Sequence, residues 1–240
     1  MAKINLDKYY TPSDLAEYCV KKTKEVIGKE NITEWLEPSA GDGVFLPYLD
    51  NNYLAFDIEP EDDNIEQKNY LELDLPYFKG RCVIGNPPFG RSNNLTVAFY
   101  KKAIQQADYI AFILPVSQYE NNIRLFDFDM IYSEKLNDLP YSGKVLKCCF
   151  NIYKRPNSGI NKKPDYRLND ITILEHHSTR NPIPFDYNTH DFRMCAWGAA
   201  MGSEVQENKY ALEYCIKEND KRKENQVLNC LRNADWKNNI

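Results

Sequence analysis

The sequence predicts an α/β fold: a doubly wound, mostly parallel sheet with helices on both faces, followed by a small C-terminal addition. Three observations carry this. Apolar runs that read as buried strands, Cys82-Val83-Ile84 and Tyr109-Ile110-Ala111-Phe112-Ile113-Leu114, alternate with stretches of helical spacing. The second run is apolar throughout, which requires cover on both faces, as in parallel sheets. A glycine-containing turn, Pro38-Ser39-Ala40-Gly41-Asp42-Gly43, joins a strand to a helix-like stretch. Polar side chains recur where strands end, namely Glu37, Asp57 and Asn86, and ligands of open α/β sheets sit at the carboxyl ends of the strands.

At 240 residues and 28.1 kDa the chain suits one main domain with an appendage, divided here as residues 1–155 and 156–240. No apolar run approaches the roughly 20 residues of a membrane span, and the start, Met1-Ala2-Lys3-Ile4-Asn5-Leu6-Asp7, lacks the apolar stretch of a signal peptide. The seven cysteines are scattered, with no CxxC. They read as free thiols of a cytoplasmic protein without a zinc site, Cys148 and Cys149 pointing to opposite faces of one strand. The three histidines add no spaced ligand set, so no metal is expected.

The net charge of −5 argues mildly against a nucleic-acid partner, and its distribution argues the other way. Residues 1–90 hold 9 basic and 17 acidic groups, whereas residues 91–182 hold 13 and 9. Lys144, Lys147, Lys154, Arg155, Lys162, Lys163 and Arg167 form a stripe against one acid, Asp165. Such a stripe can track phosphates, or be a solvated loop.

Taken in order, Tyr10-Thr11-Pro12 opens a helix, Thr11 fitting its N-cap and Pro12 its first turn, with Gly28 at the stop. The Thr11 hydroxyl and the amides of this helix start could instead hold a carboxylate. Thr33 to Glu37 reads as the first strand. The turn behind it has the spacing Gly41-x-Gly43, without the third glycine of a dinucleotide site or the Gly-Lys of a phosphate loop. Glu37 at the strand tip would repel a pyrophosphate and suit an ammonium group. Residues 44–49 read as helix-like. Residues 52–60 read as the second strand, with Asp57 toward its end, an acid placed to accept from ribose hydroxyls. Asn69-Tyr70-Leu71 follows, placed beside a purine.

The strand over residues 81–84 then runs into Gly85-Asn86-Pro87-Pro88-Phe89-Gly90. Two prolines make this a stiff extended loop. It presents Asn86 and Phe89 from a strand's carboxyl end. The Asn86 amide oxygen and the Pro87 carbonyl are two acceptors for one exocyclic amine, and Phe89 can stack on the ring that carries it. A structural Pro-Pro turn with a buried Phe is the plain alternative.

Together, Tyr10-Thr11-Pro12, Glu37-Pro38-Ser39-Ala40-Gly41-Asp42-Gly43-Val44-Phe45, Phe56-Asp57-Ile58-Glu59-Pro60 and Asn86-Pro87-Pro88-Phe89 resemble the S-adenosylmethionine-dependent DNA adenine-N6 methyltransferases, in the subgroup whose cofactor motifs precede the catalytic one. The likeness covers about residues 9–155. It implies a Rossmann-like methyltransferase fold, S-adenosylmethionine as cofactor and DNA as partner, with the target adenine flipped out of the stack and a restriction partner left open. It implies that Thr11 holds the methionine carboxylate and Glu37 the ammonium, that Gly41 and Gly43 admit the cofactor, and that Asp57 binds the ribose. Asn69 and Tyr70 would meet the cofactor adenine, although Asn69 stands where the family has Asp; Asp74 competes for that place. Asn86, Pro87 and Phe89 would be catalytic, with Pro88 beside the base. Asn-Pro-Pro-Phe is shared with enzymes that methylate RNA bases or protein glutamine, so those acceptors stay open, as does a non-catalytic methyltransferase-fold subunit.

Beyond the loop, residues 94–106 predict a helix and Tyr109 to Pro115 a strand. Residues 126–135 and 144–154 predict the last two strands of the sheet. Phe150 and Tyr153 compete to be the second aromatic against the target base, the resemblance placing one on this late strand; a core Phe and a strand-end Tyr are the plain reading. Lys154, Arg155, Lys162 and Lys163 are the expected phosphate contacts. The remainder predicts strands near 170–174, 191–197 and 210–216 and a helix over 221–232, either a reduced target-recognition unit or an edge extension of the main sheet. Trp197-Gly198 reads as packing.

Overall fold

Seven strands share one sheet in the computed structural model, which describes residues 10–136, 139–141, 144–163, 165, 171–176, 190–198, 200–205, 209–219 and 224–234. The chain divides into two units, residues 1–164 and 165–240.

In the first unit, α1 (Ser13–Ile27) precedes β1 (Glu34–Glu37), β2 (Tyr53–Asp57), β3 (Glu66–Gln67), β4 (Arg81–Gly85), α2 (Asn94–Gln106), β5 (Tyr109–Pro115), β6 (Asp129–Lys135), β7 (Leu139–Tyr141), β8 (Lys144–Leu146) and β9 (Cys148–Lys154). The sheet order is β3-β2-β1-β4-β5-β9-β6. The pairs from β3 through β5 are parallel, whereas β9 is antiparallel to both β5 and β6. The chain leaves β1 toward β2 on one side and returns to β4 on the other. This reversal opens a crevice above the carboxyl ends of β1 and β4.

Side chains alternate across the sheet, so each face has its own core. Trp35, Cys82, Ile84, Ala111, Ile113, Cys148, Phe150 and Ile152 pack with Leu15 and Cys19 of α1. Leu36, Val83, Ile110, Phe112, Cys149 and Tyr153 pack with Phe99 and Tyr100 of α2. Cys148 and Cys149 thus face opposite layers. Burial without a charged partner raises both thiols, to about 11 and about 12, and leaves them inert at neutral pH.

Several expectations shift. The first helix starts at Ser13 with no side-chain cap, and Thr11 lies outside it. Gly28 ends it with φ +86°. Residues 44–49 form no helix but a 3-10 turn, Leu46–Tyr48, closed by i→i+3 bonds from Leu46, Tyr48 and Leu49; Pro47 supplies no N–H from which to propagate an α-helix. The expected strand over 144–154 is two: β9 stays in the main sheet, whereas β8 pairs with β7 as a separate hairpin.

The second unit contains a three-stranded antiparallel sheet, β10 (Ile171–His176), β12 (Glu213–Glu218) and β11 (Phe192–Cys195), in that order, and α3 (Glu224–Asn233). Ile171, Phe192, Met194, Ile216 and Leu228 form its core. Inside it, Arg193 is paired with Glu213, both side chains fully buried. Among the described residues, this sheet shares no strand with the main one, whereas the edge-extension alternative expected one sheet. Trp197, expected to pack, is 63% exposed on the turn after β11.

Candidate active site

A cavity of about 240 Å³ occupies the crevice. Its wall is built from strand ends: Glu37 closes β1, Asp57 closes β2, and Asn86 follows β4. The glycine turn, Tyr10, Thr11, Asn69, Tyr70 and Pro88 complete much of it. Thr11, Glu37, Gly41, Asp57, Asn69, Tyr70, Asn86 and Pro88 therefore meet at one place although the first and last are 77 residues apart in the sequence. Gly43, Pro87 and Phe89, expected at the site, are not among the residues that line the cavity. Gly43 is buried against Leu46 and Ile65 at φ +75°, and Phe89 is half-buried against the α1-side core.

Glu37 is the anomaly of the site. It is 1% exposed, and its Oε2 has no hydrogen-bond partner. Desolvation, then repulsion from Asp42 and Asp57, holds its carboxyl well above the usual carboxylate range. Among the described residues, those that line the cavity include these three acids and no Lys, Arg or His. Such a pocket suits a cation and disfavours phosphate.

Asp57 is held at both oxygens. Oδ2 accepts from Gly41 N at 2.8 Å and Oδ1 from Glu59 N at 2.8 Å, so the turn and the acid orient one another. Gly41 has φ +55°, and a Cβ there would meet no atom within 4 Å. It would project into the open space that a ligand needs.

At the catalytic loop, Asn86 Nδ2 donates to Thr11 Oγ1 at 3.3 Å, and Thr11 is buried. With the donor end of the amide on Thr11, its carbonyl end is turned the other way. Tyr10 bridges the opposite wall, its hydroxyl donating to Glu61 Oε1 at 2.6 Å. Asn69 caps the turn at Tyr70–Glu72, accepting from Leu71 N and donating to Glu72 Oε1. Tyr70 is buried, donates to Gln106 Oε1 and lies 5.5 Å from the Phe99 ring. It forms wall rather than a mobile stacking platform. Asp74 is exposed and not part of the lining.

The remaining expected contacts lie elsewhere. Phe150 and Tyr153 are fully buried in opposite core layers, and neither lines the cavity. Strand β9 runs antiparallel to β5, so Cys148 pairs with Pro115 at the cavity end and Lys154 with Tyr109 at the far end. Six strand steps put Lys154 roughly 20 Å below the rim. Arg155 is committed to structure: its guanidinium donates to the carbonyls of Ile104 and Ala107 at the end of α2, pairs with Asp108, and stacks on Tyr77 and Phe128. Lys162 and Lys163 are exposed beyond it. Arg167 and the Lys144 side chain fall outside the described residues.

Reasoning from sequence missed Ile58, Leu95 and Phe99, which supply apolar lining. Ile58 is 40% exposed directly after Asp57, and an apolar residue following a strand-end acid was a legible signal. Phe99 and Leu95 reach the cavity from α2, which no local pattern announces. Among the described residues, no group of His, Cys, Asp and Glu could hold a metal ion, and no helix is long and apolar enough to cross a membrane.

No protein-family model matches the chain, and no curated protein matches it. Solved structures do. A protein of Listeria monocytogenes assigned to the class I S-adenosylmethionine-dependent methyltransferases aligns over 70% of this chain and 66% of its own, just under two thirds, with 13% identity and a TM-score of 0.50. A Pyrococcus horikoshii protein assigned as an RNA methyltransferase aligns over 64% and 88%, at 18% identity and TM-score 0.49. A type I restriction-modification methyltransferase subunit of Streptococcus thermophilus aligns over 95% and 54%, at 13% and 0.46. The fold is the Rossmann-like fold of class I methyltransferases.

Proposed function

We propose that the protein moves a methyl group from S-adenosylmethionine to the N6 amine of an adenine in DNA. The observation that carries this reading is a shared cavity. Asn86 of the Asn-Pro-Pro-Phe loop and the buried Glu37, whose Oε2 has no partner, line the same space at the β1/β4 reversal.

The residues fit the cofactor. A carboxylate with an orphaned oxygen is the group to pair with an ammonium ion, and pairing would return Glu37 toward its ordinary range. Asp57, already oriented by two backbone amides, has lone pairs left for a ribose diol. Gly41 leaves room beside the backbone, and Ile58 with Tyr70 offers apolar surface to a purine. Thr11 can donate its hydroxyl proton to a carboxylate while still accepting from Asn86. When bound, S-adenosylmethionine supplies an electrophilic methyl group on a positively charged sulfur.

Asn86 Oδ1 and the Pro87 carbonyl would accept both protons of the target amine. The amine nitrogen becomes tetrahedral and positive as it takes the methyl group. The two acceptors therefore bind the transition state better than the ground state. Pro88, which lines the cavity, would lie against the base. A duplex target has to leave the stack to reach this loop, and the surplus proton departs to water after transfer.

The test is transfer of labelled methyl from S-adenosylmethionine to unmethylated genomic DNA, RNA and a protein extract in parallel, with nucleoside analysis. N6-methyladenine in DNA is the expected product. Label in RNA or protein would move the acceptor. Bound cofactor without label on any substrate would refute the transferase reading in favour of a non-catalytic subunit.

A further inference from the structure

The rim formed by the carboxyl ends of the strands carries opposite charge on its two halves. Over β1, β2 and β3 stand Glu37, Asp42, Asp57, Glu59, Glu61 and Asp62, and the nearby cation Lys68 is paired with Glu66. Over β4, β5, β9 and β6 the described residues reverse the sign. Arg91 follows the Asn86 loop directly and is exposed. Arg124 leans onto it, donating to Ser92 O and Asn94 Oδ1. Lys135 ends β6, pairs in register with Cys149 at the rim, and holds its ammonium 4.6 Å from the Tyr119 ring. Lys147 is exposed, and its carbonyl accepts from Val116 N where β5 ends. The described acids on this half are Glu120 and Glu134, the latter accepting from the hydroxyls of Tyr18 and Tyr132, so four cations stand against two acids.

We infer that Arg91, Arg124, Lys135 and Lys147 are the phosphate-binding surface for a DNA strand. The inference rests on the methyltransferase reading for the identity of the polyanion. It replaces the stripe at Lys154 to Lys163, which lies at the far end of the sheet. A cationic cofactor and an anionic substrate each meet the half of the rim that attracts it, and the Asn86 loop lies where the halves join. The dimensions agree. Three inter-strand steps from β4 to β6 span roughly 14 Å, over which one strand of a duplex carries about four phosphates, and four cations stand there. Tyr119, beside Lys135, adds an aromatic face of the kind that stacks on unpaired bases.

The experiment measures binding of a short fluorescent oligonucleotide by anisotropy across a KCl series. It compares the wild type, a triple variant Arg91→Gln, Lys135→Gln, Lys147→Gln, and a control triple variant Lys154→Gln, Lys162→Gln, Lys163→Gln. Arg124 stays intact because it also ties Ser92 and Asn94 together. Each lost phosphate contact should lower the slope of log affinity against log salt by about 0.7–0.9, so the rim variant should lose about 2–3 and the control almost nothing. Circular dichroism of both variants checks the fold. An unchanged slope in the folded rim variant, or an equal loss in the control, overturns the surface. Transfer to DNA with an unchanged rim slope would remove the surface and keep the proposed reaction. A rim-dependent slope without methylated adenine would keep the surface and remove the reaction. Tighter, equally rim-dependent binding of RNA would overturn the assignment to DNA.

Discussion

Replacing Glu37 by Gln should stabilise the free protein while ruining its ability to bind cofactor. Glu37 is 1% exposed with one oxygen unpartnered, and Asp42 and Asp57 repel its charge. An unsatisfied buried polar group costs about 1–3 kcal/mol, and the neutral amide escapes the part due to charge. At 2–4 °C per kcal/mol for a unit of this size, the melting temperature should rise by about 3–10 °C. The pH dependence has a definite sign. The folded pKa lies above the unfolded value of about 4.3, so the folded state binds the extra proton and the wild type loses stability as pH rises between the two. The advantage of the variant should be small near pH 4–5 and grow to its full size above the raised folded pKa. Loss of a charge-assisted bond to an ammonium should cost about 1.5–3 kcal/mol of cofactor affinity, roughly 10- to 150-fold. Thermal melts of both proteins from pH 5 to pH 8.5, with calorimetric titration of S-adenosylmethionine, measure both effects. A Gln variant no more stable than wild type at pH 8, or one whose advantage ignores pH, would refute the account of Glu37 as a strained, ligand-awaiting carboxylate.

Asn86→Ala should lower the single-turnover transfer rate by about 10²–10³-fold, the effect of removing one transition-state partner, with cofactor affinity unchanged; undiminished turnover would sink the mechanism. Thr11→Val removes the acceptor for Asn86 Nδ2 and should slow transfer about tenfold, a net hydrogen bond's worth of positioning, whereas Thr11→Ser should restore most of it. Equal losses in the two variants would reduce Thr11 to a matter of shape. Arg155→Ala should destabilise the first unit by about 1–3 kcal/mol in urea melts, because the Ile104 and Ala107 carbonyls lose their donors. A stability-neutral Arg155→Ala with weakened DNA binding would return that residue to the substrate.

The likeness to solved methyltransferases bears on the fold alone, and the substrate rests on the site. A cavity whose described lining holds three acids and no base would repel the phosphates of the DNA substrate proposed above. The proposed phosphate surface answers this by placing the cations on the other half of the rim. The acids hang from β1 to β3, which come from the acidic first 90 residues, and the cations from the later strands.

Much of the fold was legible in the sequence because it rests on short-range regularities. A short apolar run such as Tyr109 to Leu114, rich in Ile and aromatic residues, reads as a buried strand, and Gly28 stops a helix wherever that helix packs. The turn at Gly41 and the Asn86 loop were equally legible, since prolines and glycines restrict or free the backbone locally. What the sequence could not determine depends on direction and register. Strand β9 looks the same read parallel or antiparallel, yet its antiparallel course carries Lys154 to the end of the sheet away from Asn86 and sinks Phe150 and Tyr153 into opposite cores. Thr11 reads as a helix cap until a loop 75 residues later brings Asn86 to its hydroxyl. The backbone dictates its own local geometry, but only tertiary packing decides which polar groups lose water together, and so which of them remain for a ligand.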